Sequence, residues 1–198
     1  MRGNSRKTGL EQVYTLPHVA QMCWAEFEKW WAGEWLIEPA AGGGAFMRWC
    51  DAGYDIDPRY PGIIRCDSLL EPFPYGASYI TNPPFGRRCE LSLKFFNKLA
   101  ACEARLIGFL IPCSWRKGAF QNRLDKRYRL VSDIDMPAVA FEGVDRGVLN
   151  TCFQVWQRCE ESRPEWRRTG LLRPFYVAIR RGDKIPQNVS HVVCMRGW

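Results

Sequence analysis

The feature that most constrains what this chain can fold into is an alternation. Short apolar segments, closed by glycine, proline or a carboxylate, are separated by stretches with helical spacing. Extended segments are expected at 35–37, 53–56, 62–65, 78–81, 106–112, 138–141 and 151–156. Leu91, Leu93, Phe95, Phe96 and Leu99 recur at the spacing of an amphipathic helix over 89–103. Another helix opens the pattern: Val19, Met22, Cys23, Phe27, Trp30 and Trp31 share a face, Pro17 starts it and Gly33 ends it. Strands alternating with helices predict an α/β fold with a mostly parallel sheet. The strand at 151–156 follows a turn-rich stretch at 143–147 and is expected to run antiparallel. Open sheets of this kind bind ligands at the carboxyl ends of their strands, so the residues that close each strand carry the functional signal.

The first strand closes in Glu38, Pro39, Ala40, Ala41, Gly42, Gly43, Gly44, Ala45 and Phe46. Consecutive glycines let the backbone approach a ligand and reach positive φ, although a plain turn could use them too. The G-x-G-x-x-G fingerprint is absent, and the next acidic residue comes too early for its ribose position, which weighs against a dehydrogenase. The second strand ends in Asp55 and Ile56, where a carboxylate could accept from ribose hydroxyls. The third is followed by Asp67 and Ser68, which could offer an acceptor to an exocyclic amine and a backbone donor to a ring nitrogen. Taken singly, each aspartate is more often a strand-end cap than a ligand. The fourth strand closes in Asn82, Pro83, Pro84 and Phe85. Two prolines remove two backbone donors and fix φ at both positions, leaving carbonyls and the Asn82 amide oxygen as acceptors beside an aromatic ring. Acceptors beside an aromatic plate suit a flat group bearing an amine, such as a flipped base.

At 198 residues and 46% hydrophobic content the chain can bury one core. A net charge of +7 and a pI near 9.0 fit a polyanionic partner. None of the nine cysteines forms a C-x-x-C pair, so no metal site is expected; they read as reduced, apolar packing residues. The polar, basic opening segment lacks the apolar core of a signal peptide, and no apolar run reaches membrane-spanning length. A soluble, cytoplasmic protein without membrane contact is the expectation.

These strand ends together resemble the Rossmann-like S-adenosylmethionine-dependent methyltransferases, and among them the amino-methyltransferases with an Asn-Pro-Pro-aromatic motif. The similarity is greatest to N6-adenine DNA methyltransferases in which the cofactor motifs precede the catalytic one. It spans about residues 13–157, and Asn82-Pro83-Pro84-Phe85 is its most specific part. Thr15, Leu16 and Pro17 resemble the family's Thr-Pro element, with Leu16 as an insertion; there it touches the methionine carboxylate. The stretch from Glu38 to Phe46 looks like the family loop that cradles the methionine moiety. Asp55 stands where the family places its ribose acid, and Asp67 where it places the adenine-amine acceptor.

The resemblance implies a seven-stranded, mostly parallel sheet with an antiparallel last strand and helices on both faces. It implies S-adenosylmethionine as cofactor and DNA, with a base flipped into the site, as partner. Residues 46–53 are too few for a full first crossover helix, so a stub is expected there. The expected organisation is a flexible segment at 1–12, a methyltransferase domain at 13–157 and a short basic extension at 158–198. For DNA contacts the candidates are Arg87 and Arg88, directly after the catalytic motif, and Arg116, Lys117 and Arg123 in the basic stretch 114–129. Further basic residues there are Lys126, Arg127 and Arg129, and the extension adds Arg163, Arg167, Arg168, Arg173, Arg180 and Arg181. Each of these could instead belong to a solvated helix face. The rival readings are an RNA amino-base methyltransferase, a protein glutamine N5-methyltransferase, and a catalytically silent subunit of the same fold.

Overall fold

A computed structural model describes residues 13–144 and 149–165. The chain begins with helix α1 (Pro17–Phe27) and then lays down β1 (Leu36–Glu38), β2 (Ala52–Asp55), β3 (Ile64–Arg65) and β4 (Ser78–Thr81). Helix α2 (Glu90–Ala101), β5 (Leu106–Pro112), the single turn α3 (Gly118–Gln121), β6 (Tyr128–Asp135) and β7 (Thr151–Arg158) follow. The seven strands form one sheet in the order β3-β2-β1-β4-β5-β7-β6. β7 pairs antiparallel with both β5 and β6, while the other pairings are parallel.

Helices cover both faces, as adjacent residues of β5 show. Successive strand side chains point to opposite faces. A Cβ on Gly108 would meet the Phe27 ring of α1, whereas its neighbour Phe109 packs edge-on against Phe96 of α2, ring centroids 5.9 Å apart. Phe96 also contacts Trp115, Tyr128 and Trp156, forming an aromatic centre on that face. The crossover from β1 to β2 is indeed a stub: Gly44, Met47, Trp49 and Cys50 each donate to the carbonyl three residues back, and no helix forms. Trp24 of α1 stacks on Trp49 from this stub at 5.3 Å and 10°.

Three expectations are corrected. The segment 138–141 is extended but lies outside the sheet. Thr15 bridges Phe141, the Leu16 N–H donates to Ala140, and the Glu142 N–H donates to Tyr14. The sheet strand is instead β6, whose charged Arg129, Asp133 and Asp135 hide its apolar alternation and whose bulge between Leu130 and Ser132 breaks the period of two. The first helix stops at Phe27 rather than Gly33, leaving Trp30 38% exposed beyond its end; Met22 is similarly exposed. Helix α2 stops at Ala101, with Glu103 in the left-handed region at φ 55 and the Ala104 N–H returning to Leu99. The segments 1–12 and 166–198, including Arg167, Arg168, Arg173, Arg180 and Arg181, lie outside the described residues. Among the described residues no helix is long and apolar enough to cross a membrane.

Candidate active site

The strand order reverses between β1 and β4: β2 and β3 lie to one side, and β5 to the other. Loops leaving such a switch point diverge and open a crevice. Here the loops are those after Glu38 and Thr81.

The loop after β1 is stitched to the end of β2. The Ala41 N–H donates to the Tyr54 carbonyl (2.9 Å), the Gly42 N–H to Asp55 Oδ2 (2.7 Å), and the Arg59 N–H to the Gly42 carbonyl (2.9 Å). Gly42 and Gly44 take φ of +47° and +78°, which a side chain would resist. Two tyrosines that sequence reasoning missed flank this loop. A Cβ on Gly43 would lie 3.0 Å from the Tyr14 ring, and one on Gly44 only 2.5 Å from Tyr60 Cγ. Their only sequence signal is position, one just ahead of Thr15 and the other just past Asp55.

Glu38 is buried beneath the loop, 2% exposed, with Oε2 lacking any hydrogen-bond partner. Burial pushes its carboxyl well above the usual carboxylate range. The Phe46 N–H opposes that shift and the nearby Asp55 charge reinforces it. Pro39 and Ala41 are buried and Ala40 is half-buried beside it, while Ile56 is exposed. Asp55 serves the loop first. Oδ2 accepts from Gly42 and Oδ1 from Asp57, both at 2.7 Å, leaving each oxygen further acceptor capacity. Asp67 caps its own turn: Oδ1 accepts from the Leu69 N–H (3.0 Å) and its carbonyl from Leu70 and Glu71. Ser68 is buried, with its hydroxyl unpartnered. The Cys66 N–H donates to the Asp55 carbonyl, which ties the two acidic turns together.

Asn82 follows the last residue of β4, and its Nδ2 donates to the Val13 carbonyl at 2.8 Å. A carbonyl can only accept, so the amide must present its nitrogen there, and its oxygen remains turned away as an acceptor. Val13 is itself held by the pairing of Tyr14, Thr15 and Leu16 with 140–142. Sequence reasoning did not foresee this strap. Pro83 is buried and Pro84 half-buried. The Phe85 ring is 6% exposed and packs edge-on against Phe141 at 6.4 Å.

Among the basic candidates, Arg87 and Arg88 are exposed on the 3₁₀ turn after the motif, Arg88 with φ 56. Lys117 is exposed as well. Arg116 is instead locked in ion pairs. Its Nε and Nη2 fork onto Asp133 at 2.6–3.1 Å, and Nη1 meets Asp135 at 2.7 Å. Arg123 forks onto Glu90 at 2.6–2.8 Å. Arg127 pairs with Asp125 and Lys126 with Glu165, while Arg163 donates to the Tyr128 and Leu124 carbonyls beneath β6. Much of the basic stretch therefore ties this end of the domain together.

No protein-family model matches the chain, and no curated protein is significantly similar to it in sequence. Solved structures are similar in fold. One is a protein from Listeria monocytogenes described as a class I S-adenosylmethionine-dependent methyltransferase: TM-score 0.59, 12% identity, 81% of this chain and 65% of that one. The chain thus spans slightly under two thirds of that protein. A second, from Pyrococcus horikoshii, is described as an RNA methyltransferase: TM-score 0.58, 12% identity, 77% and 89% covered. A third is a dimethyladenosine transferase from Plasmodium falciparum: TM-score 0.54, 12% identity, 75% and 64% covered. The fold is that of the class I methyltransferases.

Proposed function

We propose that this chain is an S-adenosylmethionine-dependent methyltransferase that acts on N6 of adenine in DNA. The observation that carries the reading is the oriented Asn82 amide at the switch point, next to two prolines that donate no backbone N–H. The residues present fit the cofactor. Glu38 Oε2 is a buried acceptor without a partner, suited to an ammonium group. Gly42 and Gly44 hold the loop at positive φ with the Tyr14 and Tyr60 rings beside it, and Asp55 retains acceptor capacity for ribose hydroxyls. S-adenosylmethionine supplies an electrophilic methyl group on a sulfonium centre.

The amine of adenine is a poor nucleophile because its lone pair is delocalised into the ring. The Asn82 oxygen and the Pro83 carbonyl accept its two hydrogens, which favours a pyramidal nitrogen with the lone pair directed outward. The same acceptors stabilise the positive charge that grows on nitrogen as the new N–C bond forms and the S–C bond breaks. The methylated nitrogen then loses a proton to water, so no side-chain base is required. Holding amine and methyl group in line supplies much of the acceleration.

Asn82→Ala removes an acceptor and also the Nδ2 donor that holds the Val13 carbonyl. Methyl transfer from labelled S-adenosylmethionine to DNA should collapse to background, a loss far larger than any fall in cofactor affinity from loosening the Val13 strap. Undiminished turnover in this variant would make the Asn-Pro-Pro-Phe turn structural. Transfer only to RNA, or only to a glutamine-bearing peptide, would move the substrate to that class.

A further inference from the structure

Two clefts open on the outer side of α2, of about 400 and 690 Å³, and they share Glu90 and Lys94 as lining residues. The first starts at Gly86, directly after the Asn-Pro-Pro-Phe turn, and is bordered by Arg87 and Arg88. The second continues past Lys94 to Lys98 and Arg123. Together they form a groove leading from the proposed target-base site along a helix of 12 residues, roughly 18 Å at ~1.5 Å per residue.

The two sides of the groove differ chemically. On the α2 side, Lys94 and Lys98 stand one helical turn apart, and neither is in an ion pair among the described residues. Arg123 cannot play the same part, because Glu90 holds its guanidinium. It builds the wall, together with Asn97, whose amide donates to the Arg123 carbonyl and accepts from the Asp125 N–H. The opposite side is the turn that begins at Asp67, where Asp67, Leu69 and Leu70 line the cleft and Leu70 is 78% exposed. Lysines on one side and exposed leucines on the other fit a strand whose bases are unpaired, with phosphates on the lysines rather than beside the Asp67 and Glu90 carboxylates that also line the groove, and base faces on the leucines. A duplex keeps its base faces stacked inside and has no use for Leu70.

We infer that this groove holds the unpaired DNA strand flanking the target adenine, with phosphates on Arg87, Arg88, Lys94 and Lys98 and a base face on Leu70. This rests on the proposed function above. The test uses the full chain and short fluorescent oligonucleotides, single-stranded and duplex, with affinity followed by anisotropy over a salt series. Lys94→Gln/Lys98→Gln removes two charges from the outside of α2. For single-stranded DNA, the slope of log affinity against log salt should shrink by about 1.4, at roughly 0.7 per phosphate contact. Leu70→Ser should weaken single-strand binding at every salt concentration without changing the slope. S-adenosylmethionine affinity, measured by calorimetry, should be unchanged in Lys94→Gln/Lys98→Gln. A parent that binds and methylates DNA, with both variants indistinguishable from it, would overturn the groove and leave the proposed function standing. A parent that binds only RNA, with the same loss of slope, would keep the groove and overturn the DNA substrate. A parent that binds neither strand type would overturn both.

Discussion

Glu38 is the residue whose replacement tests the cofactor site most directly. Its carboxyl is buried, has one unpartnered oxygen, and is held neutral to higher pH than an ordinary carboxylate, chiefly by burial. Because the folded pKa is raised above the unfolded value of about 4.3, this group's stabilising contribution is complete below that value. It is lost as pH rises toward and through the folded pKa, since the unfolded chain releases the proton first. Within that window the loss reaches up to about 1.4 kcal/mol per pH unit. Glu38→Gln keeps the size and a neutral carbonyl oxygen but cannot titrate, so its denaturation free energy should not fall with this slope. Urea midpoints of parent and variant, measured from about pH 4.5 upward, should therefore diverge steadily, with the variant relatively more stable at higher pH. In the proposed site the ammonium of S-adenosylmethionine meets Glu38, so binding should ionise Glu38 and release a proton. Calorimetry in buffers of different ionisation enthalpy reads this directly, and the Gln variant should bind weakly with no release. Parallel stability profiles together with proton-neutral binding in the parent would refute the reasoning.

Asp55→Ala deprives both the Gly42 and the Asp57 N–H of an acceptor; it should cost about 2–4 kcal/mol of stability, read as a lowered Tm, and also weaken cofactor binding. A variant with the parent's Tm would mean that the glycine loop is not held through this carboxylate. Gly44→Ala puts a side chain at φ +78° and against Tyr60, so a loss of about 1–2 kcal/mol, with a larger loss of cofactor affinity, is expected by thermal melts and calorimetry. Arg116→Ala breaks the forked pair with Asp133 and should destabilise the fold by about 1–2 kcal/mol while leaving the salt slope of DNA binding unchanged. A reduced slope would return Arg116 to the DNA-contacting residues.

What could be read from the sequence followed from how locally each feature is encoded. β4 and β5 lie at the expected positions because β5 is an almost wholly apolar run and β4, Ser78–Thr81, centres on Tyr79 and Ile80 and is closed by Asn82 and Pro83. The glycine loop, Asp55 and Asn82 all close strands, as their residue types implied. β6 was obscured because the charged residues on its partly exposed faces, Arg129, Asp133 and Asp135, bind Arg116 or face solvent, so the segment offered no apolar run. The Val13 strap depends on contacts between residues more than a hundred positions apart, which local pattern does not encode. Phe85 was placed by residue type alone, and its ring lies in the core because Phe141 provides an aromatic edge there.

β7 is the last strand among the described residues, yet it lies inside the sheet, paired along its length with β5 on one side and β6 on the other. On the ribosome, β5 emerges with seven almost wholly apolar residues whose outer edge has no neighbour until residue 158 has been synthesised. An unpaired apolar edge is a template for pairing with other chains. Synthesis that stalls between β6 and β7 should therefore yield aggregates, not a partly folded domain. Slow codons in this interval would lower the yield of folded protein more than the same codons placed elsewhere.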